Sequence, residues 1–184
     1  MSICVISFSS RKKGNCAKIG EFICSQLPDA KLYSFSDFDI HPCGKCNCEC
    51  FADNTKCPWI KDREYKLLDE IVKSTLTYFI IPNYCDYPCA NFFIFNERSQ
   101  CYFQGHENLL GKYEGVPKKA IVVSNTNEEH FKAALAYQSK GEIPTLFLPA
   151  KKFGKSSIAG DLITSGKVVD SLKAFIIEDT QTAL

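Results

Sequence analysis

The chain has 184 residues, 45% of them hydrophobic and 23% charged, with a net charge of +1. That is enough chain to bury a full core without disulfides, and the composition excludes a disordered or fibrous protein. The near-neutral charge supplies no single-sign field, which argues against nucleic-acid or membrane-surface partners. Apolar runs stop well short of the roughly 20 residues that a membrane-spanning helix needs. The first apolar run precedes Arg11, Lys12 and Lys13, the reverse of the order in an export signal. A soluble, cytoplasmic protein is expected, folded as one domain over residues 1–184.

Residues 2–8, SICVISF, are apolar and β-branched and predict a buried strand. A polar turn follows, and then Ile19, Phe22, Ile23 and Leu27 recur at helical spacing until Pro28. Residues 30–35 read as a second strand, 36–58 as an irregular stretch, and 61–74 as a helix with Tyr65, Leu68, Ile71 and Val72 on one face. LTYFII, residues 76–81, is a third buried strand, and PNYCDYP after it is a loop. The pattern predicts a helix over 89–103, a connection over 105–117 and a strand over 118–124. Thr126 and Glu129 have capping-box spacing for a helix over about 127–140. Residues 142–148 form the fifth strand, and Val168, Val169, Leu172, Phe175 and Ile176 mark a last helix.

Strands that are apolar throughout are buried on both faces. Five alternations of strand and helix therefore predict a doubly wound α/β fold, a parallel sheet covered by helices. Such sheets take ligands at the carboxyl ends of their strands, near the switch in strand order. The loops to inspect are 9–16, 82–88 and 124–126. In the first, backbone amides and a helix N-terminus can face an anion, with Ser9, Ser10 and Asn15 adding short donors. The alternative is a solvated turn that closes a βα unit. A dinucleotide fingerprint is absent, and Gly154-Lys155-Ser156 lacks the first glycine of a Walker A loop because Pro149 stands there.

SFSSRKKGNCAKI resembles the phosphate loop of flavodoxin-like NAD(P)H-dependent FMN reductases, with Ser9, Arg11, Gly14 and Asn15 coinciding and Cys16 standing where Thr or Ser is usual. PNYCDYPCANFFIFNER resembles the same family's loop beside the flavin ring, with Pro82, Tyr84, Ala90, Phe95 and Arg98 coinciding. GKSSIAGDLITSGKVVDSLKAF is similar to its last turn and helix. The resemblance implies a five-stranded flavodoxin-like sheet of order 2-1-3-4-5. It implies FMN as cofactor and NAD(P)H as electron donor. The FMN contacts would be Ser9, Ser10, Arg11, Gly14, Asn15 and Cys16, then Pro82, Asn83, Tyr84, Cys85 and Asp86. By position alone, Ser124, Asn125 and Thr126 would be the third flavin loop, although a helix cap reads equally well there.

Eleven cysteines are present, and Cys43, Cys46, Cys48, Cys50 and Cys57 crowd into residues 43–57. The stretch 36–58 is far longer than the two to six residues an ordinary αβ or βα connection needs. Clustered thiolates suit a [4Fe–4S] cluster or tetrahedral zinc; a long loop without metal is the other reading. The position is similar to the cysteine motif of iron–sulfur flavoproteins. Glu49 falls at the third-ligand place, so Cys48 or Cys50 would serve, and CPWIKDREY aligns Cys57 with the fourth. Cys85 and Cys89 read as small packing residues or a redox pair, and His106 and His130 as ordinary surface residues. The helix carrying Phe92, Phe93, Phe95, Tyr102 and Phe103 is more aromatic than one buried face requires, which predicts a homodimer or homotetramer.

The expected function is a flavin-dependent oxidoreductase exchanging electrons with a small-molecule or protein redox partner. No acid–base residue is assigned a catalytic role. The rival is a metal- or thiol-binding module on the same scaffold, without flavin.

Overall fold

The computed structural model describes residues 2–44, 46–124 and 129–180. Its strands are β1 (Ile3–Ser7), β2 (Ala30–Ser34), β3 (Leu76–Tyr84), β4 (Tyr87–Pro88), β5 (Lys118–Ser124) and β6 (Thr145–Pro149). They run in the order β2-β1-β3-β5-β6, all parallel, with β4 folded back antiparallel on β3. Leaving the two-residue β4 aside, this is the expected doubly wound order. In the sheet, Val5 lies between Leu32 and Tyr78.

Because successive strand residues face opposite sides, the apolar strands split into two cores. Ile3, Val5, Tyr78, Ile80, Ile121 and Val123 face α1 (Asn15–Gln26) and α6 (Gly166–Thr180). Cys4, Ile6, Phe79, Ile81, Ala120 and Val122 face the helices α2 (Glu64–Lys73), α3 (Ala90–Phe103), α4 (Glu107–Gly115) and α5 (Glu129–Leu135). The second core is aromatic. Phe8 contacts the rings of Phe35, Phe79, Phe92 and Phe95 at centroid distances of 5.2–5.5 Å. No helix of the described residues is long and apolar enough to cross a membrane.

Three expectations change. The stretch 105–117 is not a bare connection: it contains α4, whose short apolar face of Leu109 and Tyr113 packs on the aromatic core while Gly111 and Gly115 weaken the helical signal. The loop 82–88 is largely sheet, since β3 runs on to Tyr84 and turns into β4. The fifth parallel strand starts at Thr145 and not at residue 142, because Pro144 has no amide to donate and contributes only its carbonyl, to Ala120 N–H at 2.9 Å. The proposed capping box at Thr126 lies outside the described residues.

The long cysteine-bearing segment is held through α3. Arg98 has no exposure to solvent and donates to Asp62 at 2.6 Å and to the carbonyl of His41 at 2.8 Å. Asp62 also accepts from the amide of Glu64 at 3.1 Å, which fixes the start of α2. Next to Arg98 in the chain, Glu97 accepts from the amide of Cys43 at 3.2 Å. Glu64 is fully buried, 3.6 Å from Arg98 Nε, and neither of its carboxyl oxygens has a hydrogen-bond partner among the described residues. Burial pushes its carboxyl from the ordinary 4.5 up to about 9, against the opposing pull of Arg98. The folded state thus keeps a proton that the unfolded chain releases. The associated stability is complete below pH 4.5 and is lost as the pH climbs towards 9. Glu64→Gln imitates the protonated form. Urea denaturation at pH 5 and pH 9 is expected to show wild-type stability falling more steeply than that of the variant; parallel pH dependences would contradict the assignment.

Candidate functional site

A cavity of about 230 Å³ opens at the carboxyl ends of β1 and β3, where the strand order switches. Its wall on one side is the first loop, with Ser9, Arg11, Gly14, Asn15 and Cys16; on the other are Pro82, Asn83, Tyr84 and Cys85. Sequence reasoning missed Val123, Ser157 and Ile158, which also line it. The signal available for the last two was a pair of serines between Gly154 and Gly160.

The first loop is shaped by its own hydrogen bonds. The Arg11 amide donates to Ser9 Oγ at 3.1 Å, a short side-chain turn that points the loop backbone back over the strand end. α1 begins at Asn15 without any side-chain cap, so its first-turn amides remain available to an anion. Asn15 has a second role. Its Nδ2 donates to the Ser156 carbonyl at 2.8 Å and its Oδ1 accepts from the Leu162 amide at 2.9 Å. One buried amide therefore ties the first loop to the segment after β6. Lys18 Nζ adds a 2.6 Å bond to the Gly160 carbonyl.

Ser10 and Ser124 stand back from the cavity. Ser10 Oγ accepts from Asn91 Nδ2 at 3.0 Å, and the same amide donates to the Phe8 carbonyl at 2.8 Å, anchoring the start of α3. Ser124 is buried and accepts from Asn83 Nδ2 at 3.0 Å. Cys16 and Cys89 are buried; burial raises both thiols, Cys89 to about 11, so they sit there as neutral packing groups. Asn125 and Thr126 lie outside the described residues.

The rim is a tight hairpin. Tyr84 pairs with Tyr87, and the two residues between them, Cys85 and Asp86, have φ values of 52° and 72°. This left-handed pair is the geometry of a type I′ turn, normally occupied by Asn and Gly. Tyr84 and Tyr87 are left about half exposed. Asp86 faces away from the cavity and meets His130 Nδ1 at 2.6 Å, while the His130 ring lies 5.3 Å from that of Tyr87. His130, expected to be a plain surface residue, thus braces the hairpin from α5. His106 meets Asn54 at 3.3 Å.

The cysteine-rich segment does not gather its five thiols. Cys48 is exposed at φ 62°, Cys43 and Cys46 are half-buried, and Cys50 and Cys57 are buried. Cys50 and Cys57 cluster instead with Cys101 of α3, a residue no motif pointed to. Among the described residues no three side chains come together as a metal-ligating group. The Cys101 thiol is pushed up to about 12 by burial and by its hydrogen bond with Cys50. The aromatic helix divides: Phe92, Phe95 and Tyr102 are core, while Phe93 is exposed and borders a groove of about 990 Å³ with Phe51, Leu110 and Tyr137.

No protein-family model matches the chain, and no curated protein does either. Solved structures do. The Trp repressor binding protein from Bacillus subtilis is 13% identical, with a TM-score of 0.62 over 93% of this chain and 95% of that one. FerB from Paracoccus denitrificans, a flavoenzyme NAD(P)H:(acceptor) oxidoreductase, is 17% identical, with a TM-score of 0.53 over 95% and 94%. RosB, solved with the bound intermediate 8-demethyl-8-formylriboflavin-5'-phosphate, is 11% identical, with a TM-score of 0.59 over 100% and 86%. With these neighbours and its strand order, the chain has a flavodoxin-like fold.

A test separates the tie between the first loop and the segment after β6 from simple backbone strain. A Cβ on Gly160 (φ 72°) would lie 2.6 Å from the Lys13 carbonyl oxygen, whereas one on Gly154 (φ 63°) would meet nothing within 4 Å. Gly160→Ala is expected to cost ~1–3 kcal/mol more than Gly154→Ala in urea denaturation. Equal losses would mean that the segment does not press on the first loop.

Proposed function

We propose that the chain is a soluble, cytoplasmic flavin-dependent oxidoreductase of the NAD(P)H-dependent FMN reductase type. The observation that carries this reading is the cavity at the strand-order switch, where the uncapped N-terminus of α1 and the Ser9–Arg11 turn meet the Tyr84–Tyr87 hairpin. FerB, a flavoenzyme, and RosB, solved with a bound riboflavin-phosphate derivative, support it. FMN suits the residues present. Its phosphate would take the first-turn amides of α1, with Arg11 and the Ser9 hydroxyl, and its ring would lie towards Tyr84 and Cys85. Bound flavin supplies the electron chemistry. The protein's part is to neutralise the phosphate, orient the ring against a rigid hairpin, and leave the tyrosine-lined rim open to NAD(P)H and an acceptor. The iron–sulfur part of the sequence reading finds no assembled ligand set, so no step passes through a metal.

Two measurements test this. FMN should bind at least tenfold more tightly than riboflavin, and Ser9→Ala should weaken FMN about 10- to 100-fold while sparing riboflavin, the range for a lost hydrogen bond to a charged group. Asn15→Ala should weaken both ligands, because it releases the wall at Ser156 and Leu162. Equal affinity for FMN and riboflavin would overturn the phosphate assignment.

We also propose that a second copy of the chain covers the groove beside Phe93, as the excess aromatics of α3 suggest. Sedimentation at tens of micromolar protein, above common oligomer dissociation constants, is expected to show a dimer or tetramer. Phe93→Glu should shift it to monomer; a monomeric wild type would refute the reading.

A further inference from the structure

The sulfurs of Cys50 and Cys101 lie 3.0 Å apart, in a pocket where each residue is only 3% exposed. Fifty-one positions separate the two residues in sequence, and both are free thiols. They belong to different parts of the fold. Cys50 sits in the short 3-10 turn Glu49–Phe51 of the cysteine-rich segment, and Cys101 in the last turns of the 14-residue helix α3. Their meeting is not an isolated contact. Glu97 and Arg98 precede Cys101 by four and three residues, so both lie beside it on the surface of α3. Each holds a different point of the segment: Glu97 the Cys43 amide, Arg98 the His41 carbonyl and Asp62, and Cys101 the sulfur of Cys50. The first two contacts fix the register that brings the third pair of atoms together. Trp59 and Ile60 pack around the sulfurs and shield them.

We infer that Cys50 and Cys101 are a reversible dithiol–disulfide pair, a redox staple between the cysteine-rich segment and α3. The oxidant is a low-molecular-weight disulfide. When the segment opens, the Cys50 sulfur attacks that disulfide, loses its proton to solvent, and forms a mixed disulfide as one small thiolate leaves. On closure the Cys101 sulfur attacks Cys50, loses its proton, and expels the second small thiolate, which takes up a proton as the first does. Two protein thiols are oxidised to one disulfide and one small disulfide is reduced to two thiols. No metal or flavin takes part, so the inference stands apart from the proposed function. The bond would fix the neighbouring residue, Phe51, against the groove that it lines.

The experiment uses the full chain, reduced and then equilibrated with glutathione couples of increasing oxidised fraction. Remaining thiols are alkylated, and peptides are mapped by mass spectrometry. The expected result is a linked peptide pair containing Cys50 and Cys101, reversed by dithiothreitol, and lost in Cys50→Ser and in Cys101→Ser. Tryptic cleavage at the exposed Lys56 should slow about tenfold on oxidation, because cleavage tracks the population of the opened segment. That slowing should be absent in both variants. Should either variant fail to fold, the wild-type map alone decides. Linkage of Cys50 to Cys43, Cys46 or Cys57 in place of Cys101 would overturn the inference. So would full alkylation of both residues in the most oxidising couple, or a stoichiometric metal ion protecting them in the purified protein.

Discussion

A guanidinium sealed from water organises this molecule. Arg98 cannot shed its charge, so everything around it must answer that charge. Asp62 does so directly, and the carbonyls of His41 and Trp59 take further donors at 2.8 and 3.4 Å. Three pieces of chain are thereby fixed at one point: the entry to the cysteine-rich segment, its exit, and the start of α2. Removing one partner of such a buried pair typically costs about 3–5 kcal/mol, because the other charge is left uncompensated. Glu64 shows the limit of the arrangement. One guanidinium serves one close carboxylate, and the second carboxyl, equally buried, is held neutral by its surroundings.

The cavity at the strand-order switch is built on the same economy of few, buried contacts. A single side chain, Asn15, joins segments nearly the whole chain apart, and it does so with both ends of its amide. The opposite rim carries conformational strain in Cys85 and Asp86, each in a left-handed conformation that costs a non-glycine residue roughly 1–3 kcal/mol. That strain is sustained by pairing between Tyr84 and Tyr87 and by the Asp86–His130 contact. The floor is thus relaxed and the rim tense. In the proposed flavin site, a ring held against the rim would meet a surface that cannot easily give way.

Much of this was legible in the residues. Unbroken apolar runs such as AIVV, residues 120–123, announced a sheet buried on both faces, and the serine- and glycine-containing loop after β1 marked the strand-order switch. The parts that were not legible have physical reasons. α4 is short and carries two glycines, so propensity spoke against a helix that tertiary packing of Leu109 and Tyr113 enforces. The β3–β4 hairpin lacks the Asn-Gly signature its turn geometry prefers. Ser157 and Ile158 reach the cavity in a segment that Asn15 and Lys18 of α1 tie down, contacts no local pattern encodes. The five clustered cysteines suggested a shared ion, yet close sequence spacing does not set side-chain direction, and the nearest sulfur to Cys50 comes from α3.

One consequence follows from the stacking of His41 on Trp59, whose rings are parallel within 2° at a centroid distance of 3.9 Å. Trp59 is the only tryptophan of the chain, and it lies within the segment that Arg98 secures. Tryptophan emission, excited at wavelengths that tyrosine does not absorb, therefore reports on a local anchor and not on the sheet. Release of the segment would change the fluorescence while the far-ultraviolet dichroism, dominated by helices α1 to α6, stayed nearly constant. Loss of the whole fold would move both signals together. The molecule carries an optical label at the one place where local opening and global unfolding can be told apart.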